Sequence, residues 1–109
     1  MTLTELKTQL DTSKLPVAYL SFPADEAPAM PFVVYQEIMT NNFGADGVVY
    51  KKISRIQIDL FTYGRDIAAE EALEDALSFT YWNKEQTPID DEACFRWTYE
   101  IEINNTTEE

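Results

Sequence analysis

The chain has 109 residues, which suits one domain, and its 20 acidic against 8 basic side chains give a formal net charge of −12. Its content of 45% hydrophobic and 13% aromatic residues is too high for a disordered chain. The acidity excludes routine binding to nucleic acid or to an anionic membrane surface, because both need clustered Lys and Arg side chains.

The first element in chain order is a short amphipathic helix over residues 3–11. Thr2 and Glu5 have the spacing of a capping box, in which each side chain accepts a hydrogen bond from the other residue's backbone. Three leucines share one apolar face of this helix: Leu3, Leu6 and Leu10. The helix is too short to be stable alone in water, so we expect it to pack against another element.

A proline-rich stretch follows over residues 15–31, which contain four of the five prolines. Proline lacks the backbone donor of a strand and favours extended geometry in the residue before it. We therefore expect a long, partly ordered connection here, with apolar anchors at Tyr19, Leu20 and Phe22.

A hairpin is predicted next, because the hydrophobic period changes to two at Phe32. The first strand runs from Phe32 to about Met39, and the glycine- and asparagine-containing residues 41–47 form the turn. The second, longer arm begins at Val48 and continues through Leu60.

A second helix is predicted over residues 67–78, with Asp66 as its N-cap. Alanine and leucine side chains form its apolar face. Four carboxylates are expected to face outward as an acidic face: Glu70, Glu71, Glu74 and Asp75.

The last third is predicted to be a second hairpin. Residues 79–85 favour a short aromatic strand, with a longer helix as the alternative, and residues 87–91 form the turn. From Phe95 to Ile103, large apolar residues alternate with polar ones in the clearest strand pattern of the chain. Residues 105–109 are a polar tail.

These elements predict one α+β domain over residues 1–104. In the order α-β-β-α-β-β, the natural solution is an antiparallel sheet of about four strands with two helices packed on one face. The other face is expected to be solvated or to make contacts, since it carries polar side chains: Gln57, Asp59, Glu100 and Glu102.

The residues that carry catalytic or metal chemistry are sparse. The chain has no His, so an imidazole base, an imidazole metal ligand and a His-centred triad are excluded. The single Cys94 has no such base beside it and is expected to be a half-buried structural thiol. The acidic run Asp90-Asp91-Glu92 lacks the spacing of a calcium loop. We therefore expect no enzyme, and no catalytic, cofactor or metal site.

Targeting features are also lacking in the sequence. No apolar run approaches the roughly 18 residues of a membrane span, and the first ten residues lack the basic start and apolar core of a signal peptide. We expect a soluble chain made in the cytosol.

The negative charge is concentrated in the second part of the chain. Residues 66–109 contain thirteen acids and only two bases, Lys84 and Arg96. In the simplest interpretation, such a surface only keeps the protein soluble. The alternatives are a surface that repels DNA, mimics it, or meets a basic partner.

The middle of the chain contains short segments that resemble those of a known family. The residues that carry the resemblance are Leu15–Tyr19, Ser21–Pro23, Glu26–Pro28, Pro31–Phe32, Val34–Tyr35, Asn42–Phe43, Ala45–Asp46, Val49–Tyr50 and Ile58–Thr62, ahead of Asp66 and Glu70. They are similar to tail-completion or tail-terminator proteins, encoded in the head–tail joining region of long-tailed phages of Gram-positive bacteria. The likeness covers residues 15–103 and includes no catalytic signature.

The resemblance implies a structural protein of the virion, located at the head–tail junction. Protomers would assemble into a ring, of six in the expected case, that caps the tail tube and docks it to the head. The implied partners are other copies of the chain, the major tail protein and a head-completion or connector protein, with no cofactor. Acidic walls around the DNA channel would avoid sticking to phosphate. Expected interface anchors are Phe22, Met30 and Phe43.

Two other functions stay open on the sequence. One is a small acidic inhibitor that mimics DNA and occupies a host DNA-binding protein, for which the acids of residues 70–75 begin a suitable array. The other is a host adaptor domain, since a fold class does not fix a function.

Overall fold

The computed structural model describes residues 1–22, 28–40, 43–45, 48–87 and 94–104. Within these ranges the chain forms two helices, α1 (Leu3–Asp11) and α2 (Ile67–Ala76). The strands are β1 (Val17–Tyr19), β2 (Phe32–Thr40), β3 (Phe43–Ala45), β4 (Val48–Lys51), β5 (Ile53–Tyr63), β6 (Asn83–Thr87) and β7 (Cys94–Asn104). The α+β class and both helices are confirmed.

The main sheet has five strands in the order β1-β2-β5-β7-β6, and it is mixed rather than antiparallel. Strand β1 runs parallel to β2, while the other three pairings are antiparallel. The predicted four-stranded antiparallel sheet is therefore wrong in detail. Strand β1 lies within the stretch expected to be a connection. It tolerates Pro16 beside it because an edge strand needs hydrogen bonds on one side only, and the Pro16 carbonyl accepts one from the Val33 N–H at 2.8 Å.

The long hairpin of β2 and β5 is confirmed, and its two arms pair from Phe32–Phe61 to Thr40–Ser54. Residues 43–45 of the predicted turn form β3, which pairs with β4 in a separate two-stranded sheet. The predicted second arm is therefore divided, since Val48–Lys51 pairs with β3 and the arm that pairs with β2 begins at Ile53. The predicted turn over residues 87–91, the acidic run at 90–92 and the tail at 105–109 fall on residues that the structure does not describe, except Thr87, which ends β6.

Both helices begin where their caps predict. The Thr2 hydroxyl accepts a hydrogen bond from the Glu5 N–H, and the Glu5 carboxylate accepts one from the Thr2 N–H. At the start of α2, the Asp66 carboxylate accepts a hydrogen bond from the Ala69 N–H at 3.0 Å.

Helix α2 ends at Ala76, two residues earlier than predicted, and Leu77 is its C-cap. The Leu77 side chain is fully buried, and a turn closes behind it through a hydrogen bond from the Thr80 N–H to the Leu77 carbonyl. The strand predicted at residues 79–85 is therefore shifted, since β6 starts at Asn83. Residues 78–81 form the corner between α2 and β6.

Both helices pack on the same face of the sheet. Leu6 and Leu10 of α1 join Leu73 of α2 in one cluster of buried side chains. The sheet contributes alternate residues of its central strands to this core: Val33, Tyr35, Ile56, Ile58, Leu60, Tyr99, Ile101 and Ile103. The remaining, alternate side chains of each strand lie on the opposite face of the sheet, which we call the open face. No helix of the described residues is long and apolar enough to cross a membrane.

Candidate functional site

A cluster of charged side chains lies between α2 and the sheet. The Lys84 ammonium on β6 donates hydrogen bonds to the carboxylates of Glu70 and Glu74, at 2.5 and 2.8 Å. The Glu70 carboxylate also accepts a hydrogen bond from the Arg65 guanidinium at 2.9 Å. The Tyr99 hydroxyl donates to the same Glu74 oxygen that binds Lys84. These contacts connect α2 to both β6 and β7.

The titration behaviour of this cluster follows from burial and pairing. Burial alone would raise the pKa of Glu70, but the hydrogen bonds from Lys84 and Arg65 outweigh it and hold the pKa below its ordinary value. Burial alone would lower the pKa of Lys84, but its two carboxylate partners raise it. Burial and the Glu74 carboxylate raise the pKa of Tyr99 far above its usual range.

The directions of these pKa shifts determine which chemistry the cluster can perform. A catalytic lysine needs a lowered pKa so that its neutral amine can attack, and Lys84 has the opposite shift. Two cations also lie over the indole of Trp97, with Lys84 Nζ at 4.6 Å and Arg65 Cζ at 5.0 Å from the ring centroid. We interpret the cluster as a clamp that fixes α2 on the sheet.

Two of the four members of the predicted acidic face turn toward the sheet instead of facing outward. Glu70 is only 2% exposed, because α2 turns it toward Lys84, and Glu74 is half-buried beside it. Glu71 and Asp75, each one position further along the helix, point to solvent and have no hydrogen-bond or ion-pair partner in the described part of the chain. The outward acidic surface of α2 therefore consists of two carboxylates.

The open face combines polar and aromatic side chains. Asp59 is only 8% exposed on this face, which we expected to be solvated or to make contacts. Its carboxylate accepts hydrogen bonds from Gln57 Nε2 at 3.1 Å and from the Thr98 hydroxyl at 2.8 Å. Glu100 and Glu102 are exposed as expected.

A hollow of about 360 Å³ lies on the open face where β2, β5 and β7 are neighbours. Phe22, Phe32 and Phe61 form its apolar wall, and Asp59 and Arg96 also line it. The Phe32 and Phe61 rings stack with centroids 5.1 Å apart, and Phe22 meets Phe32 edge-on at 5.3 Å. We call this site the aromatic hollow. It is a mainly apolar recess on the side of the sheet opposite the two helices.

The three expected interface anchors lie in different places. Phe22 is half-buried in the aromatic hollow, so it both packs and faces a recess. Met30 is half-buried just before the cis Met30–Pro31 peptide bond and does not line the hollow. Phe43 lies in β3, and its side chain is outside the part that the structure describes.

Two residues that the sequence did not single out are prominent in the structure. Tyr81 is 97% exposed at the corner between α2 and β6, because that corner and not a strand occupies residues 78–81. Arg96 lines the aromatic hollow with its Nε buried and without a hydrogen-bond partner. Strand alternation predicts that Arg96 lies on the open face. The local sequence does not predict that it makes no ion pair with a described carboxylate.

Among the described residues, no group of three or more His, Cys, Asp or Glu side chains could hold a metal ion. Cys94 is half-buried at the start of β7, as expected for a structural thiol.

The sequence was compared with known proteins. No protein-family model matches the chain, and no curated protein matches it.

Proposed function

We propose that this protein is a structural component of a phage or prophage virion, a tail-completion or tail-terminator protein of the head–tail joining region. In this function it forms a ring on the tail tube and docks the tube to the head. Its partners are further copies of itself, the major tail protein and a head-completion or connector protein. It performs no chemistry, so its surfaces carry the function.

The observation that carries this proposal is the open face of the sheet. A five-stranded sheet covered by helices on one side only leaves the other side available for protein contacts, and here that side contains the aromatic hollow. Half-exposed aromatic side chains beside an arginine are the composition that protein interfaces favour.

The placement of the resembling residues supports the same function. Four of the segments lie on or beside β1, β2 and β5, which are neighbours in the main sheet: Leu15–Tyr19, Pro31–Phe32, Val34–Tyr35 and Ile58–Thr62. The three phenylalanines of the aromatic hollow, Phe22, Phe32 and Phe61, all belong to resembling segments.

The charge distribution fits a ring through which DNA passes. Exposed acids of the second part of the chain that have no cation partner among the described residues are Glu71, Asp75, Glu85 and Glu100. Carboxylates on a channel wall repel phosphate and keep DNA from binding to the wall.

The test is negative-stain microscopy of particles from a phage or induced prophage in which this gene is deleted. The expected result is DNA-filled heads beside detached tails of excessive length. Complementation with the intact gene should restore joined virions. Normal virions from the deletion strain would contradict the joining function.

The acidic inhibitor is the weaker alternative. A DNA mimic needs carboxylates at phosphate-like intervals on one exposed surface, and the burial of Glu70 removes one member of the array on α2. Salt-sensitive binding to a purified DNA-binding protein, together with normal virions after deletion, would favour it instead.

A further inference from the structure

Arg96 has no carboxylate partner among the described residues of this acidic chain. Its Nε is buried without an acceptor, and within the described residues it makes no ion pair. Lys84, the other base of residues 66–109, is held by two carboxylates. A guanidinium that lines an open recess without an ion pair is suited to a carboxylate from outside, because a charge-assisted hydrogen bond is stronger than a neutral one.

The neighbouring Asp59 does not fill that role. It lines the same hollow, but its two oxygens already accept hydrogen bonds from Gln57 and Thr98, and it forms no ion pair with Arg96. The register pairs Asp59 with Thr98, so Arg96 lies diagonally from it, opposite Phe61. The hollow therefore offers an apolar wall next to an unsatisfied guanidinium.

The outer surface of α2 presents the complementary pair of groups. Ile67 is 58% exposed, and Glu71 follows one turn later, exposed and without a partner in the described part of the chain. Four residues advance about 6 Å along a helix. This distance is close to the roughly 5 Å between the neighbouring strands that carry Phe61 and Arg96.

We propose that the aromatic hollow binds helix α2 of a second copy of this chain, with Ile67 among the phenylalanines and Glu71 on Arg96. The inference rests on the proposed ring, for which it names the contact between protomers. The hollow and the helix surface are different parts of one protomer, so the contact is heterologous and generates a ring or a filament. A net charge of −12 opposes self-association, which makes one buried ion pair important for specificity.

The experiment is sedimentation velocity of the purified full chain up to about 1 mM, where even an association of about −4 kcal/mol is visible. Wild type is expected to associate. Arg96→Glu and Glu71→Arg should each weaken association at least about tenfold, as expected for truncating a buried charge pair. An equimolar mixture of the two variants should associate again, since every contact then pairs opposite charges.

Two matched variants control for net charge. Lys14→Glu changes the charge as Arg96→Glu does, on an exposed residue after α1. Asp75→Arg matches Glu71→Arg one turn further along α2. Both controls should associate with nearly wild-type affinity apart from the general effect of net charge. Circular dichroism shows whether each variant is folded. If Arg96→Glu unfolds, Ile67→Asp takes its place as the variant that should weaken association, because Ile67 is exposed and its substitution does not disturb the core.

A wild type that stays monomeric to about 1 mM overturns this docking. So does association that survives Glu71→Arg, or a mixture of the two variants that stays dissociated. The joining function is judged separately by the deletion phenotype. Detached long tails with a monomeric protein would reject only the docking, and normal virions with an associating protein would reject only the joining function.

Discussion

The Tyr99 hydroxyl donates a hydrogen bond to the Glu74 carboxylate over 2.7 Å and thereby ties the centre of β7 to α2. The same Glu74 oxygen accepts a hydrogen bond from Lys84 on β6. One carboxylate thus holds three elements of the fold, and the Tyr99 ring beneath it is fully buried. The position of α2, and with it the outward surface of the helix, depends on this contact.

The first prediction concerns the hydroxyl of Tyr99. Tyr99→Phe keeps the buried ring but removes the donor to Glu74, so the free energy of unfolding should fall by about 1.5–3 kcal/mol, the usual value for a hydrogen bond to a charged group. Urea unfolding measures this loss. The control is Tyr81→Phe at a side chain that is 97% exposed, where a change within about 0.5 kcal/mol is expected. Equal effects of the two substitutions would contradict the clamp.

The second prediction concerns the buried carboxylate of Glu70. Glu70→Gln removes the buried charge and leaves the half-buried Lys84 with one carboxylate, so the free energy of unfolding at neutral pH should fall by about 3 kcal/mol, as for broken buried pairs. The exposed Glu71→Gln should change it by less than about 0.5 kcal/mol. The denaturant is urea and not guanidinium chloride, because guanidinium chloride is a salt and would screen the charges whose effect is measured.

The pH dependence of stability follows from the same residue. Because the folded-state pKa of Glu70 lies below its ordinary value of 4.5, its contribution is present above that pH and is lost as the pH falls through the folded-state pKa. Wild-type stability should therefore drop on acidification below about pH 4.5, and the drop should be smaller in Glu70→Gln. Parallel urea titrations across this range measure the difference. Parallel curves would show that Glu70 is not a source of the acid sensitivity.

The helices were predictable because their signals are local. The capping box at Thr2 and the N-cap at Asp66 act within one turn, so the spacing of a few residues determines them. The end of α2 was less predictable. It depends on the burial of Leu77, which the tertiary structure decides.

The sheet was only partly predictable, because the pairing of its strands depends on segments that are distant in sequence. Alternation identified β2, β5 and β7, since each has one apolar face. Strand β1 is three residues long, lies next to Pro16, and pairs with a strand that starts fifteen residues after its own first residue. Its identity depends on a parallel partner, which no pattern within three residues can reveal.

The candidate site depended on partners remote in sequence. Helical periodicity alone put Glu70 on the outside, but Lys84, fourteen residues away, pulls its carboxylate into the interface with the sheet. Strand alternation placed Arg96 on the open face, but it could not show that the nearby Asp59 is bound to Gln57 and Thr98 and that no described carboxylate pairs with Arg96. Charge pairing between distant segments is a property of the fold.

The third prediction tests the acidic wall of the proposed channel. Glu70 and Glu74 are unsuitable for neutralisation because they hold the fold, so the test uses exposed acids without a cation partner in the described residues. Asp75→Asn, Glu85→Gln and Glu100→Gln combined should slow genome delivery while virions still assemble, because DNA would bind the wall more strongly. Potassium efflux or DNA ejection kinetics measure delivery, and microscopy measures assembly. Unchanged ejection in intact virions would place these acids outside the channel.

The fourth prediction concerns the backbone after α1. Lys14 has a φ of 66°, in the left-handed region where a side chain with a Cβ is strained by about 1–2 kcal/mol. Lys14→Gly should remove that strain, while the greater freedom of glycine in the unfolded chain costs about 0.5–1 kcal/mol. The expected net result is a gain in the free energy of unfolding of about 0.5–1 kcal/mol.

Lys14→Ala separates this backbone effect from loss of the lysine side chain. Alanine retains the Cβ and so retains the strain, and it should give no gain in urea unfolding. Lys14 is exposed, so neither substitution removes packing from the core. An equal gain from both substitutions would assign the effect to the lysine side chain. A loss of stability with glycine alone would mean that the backbone at Lys14 is not strained.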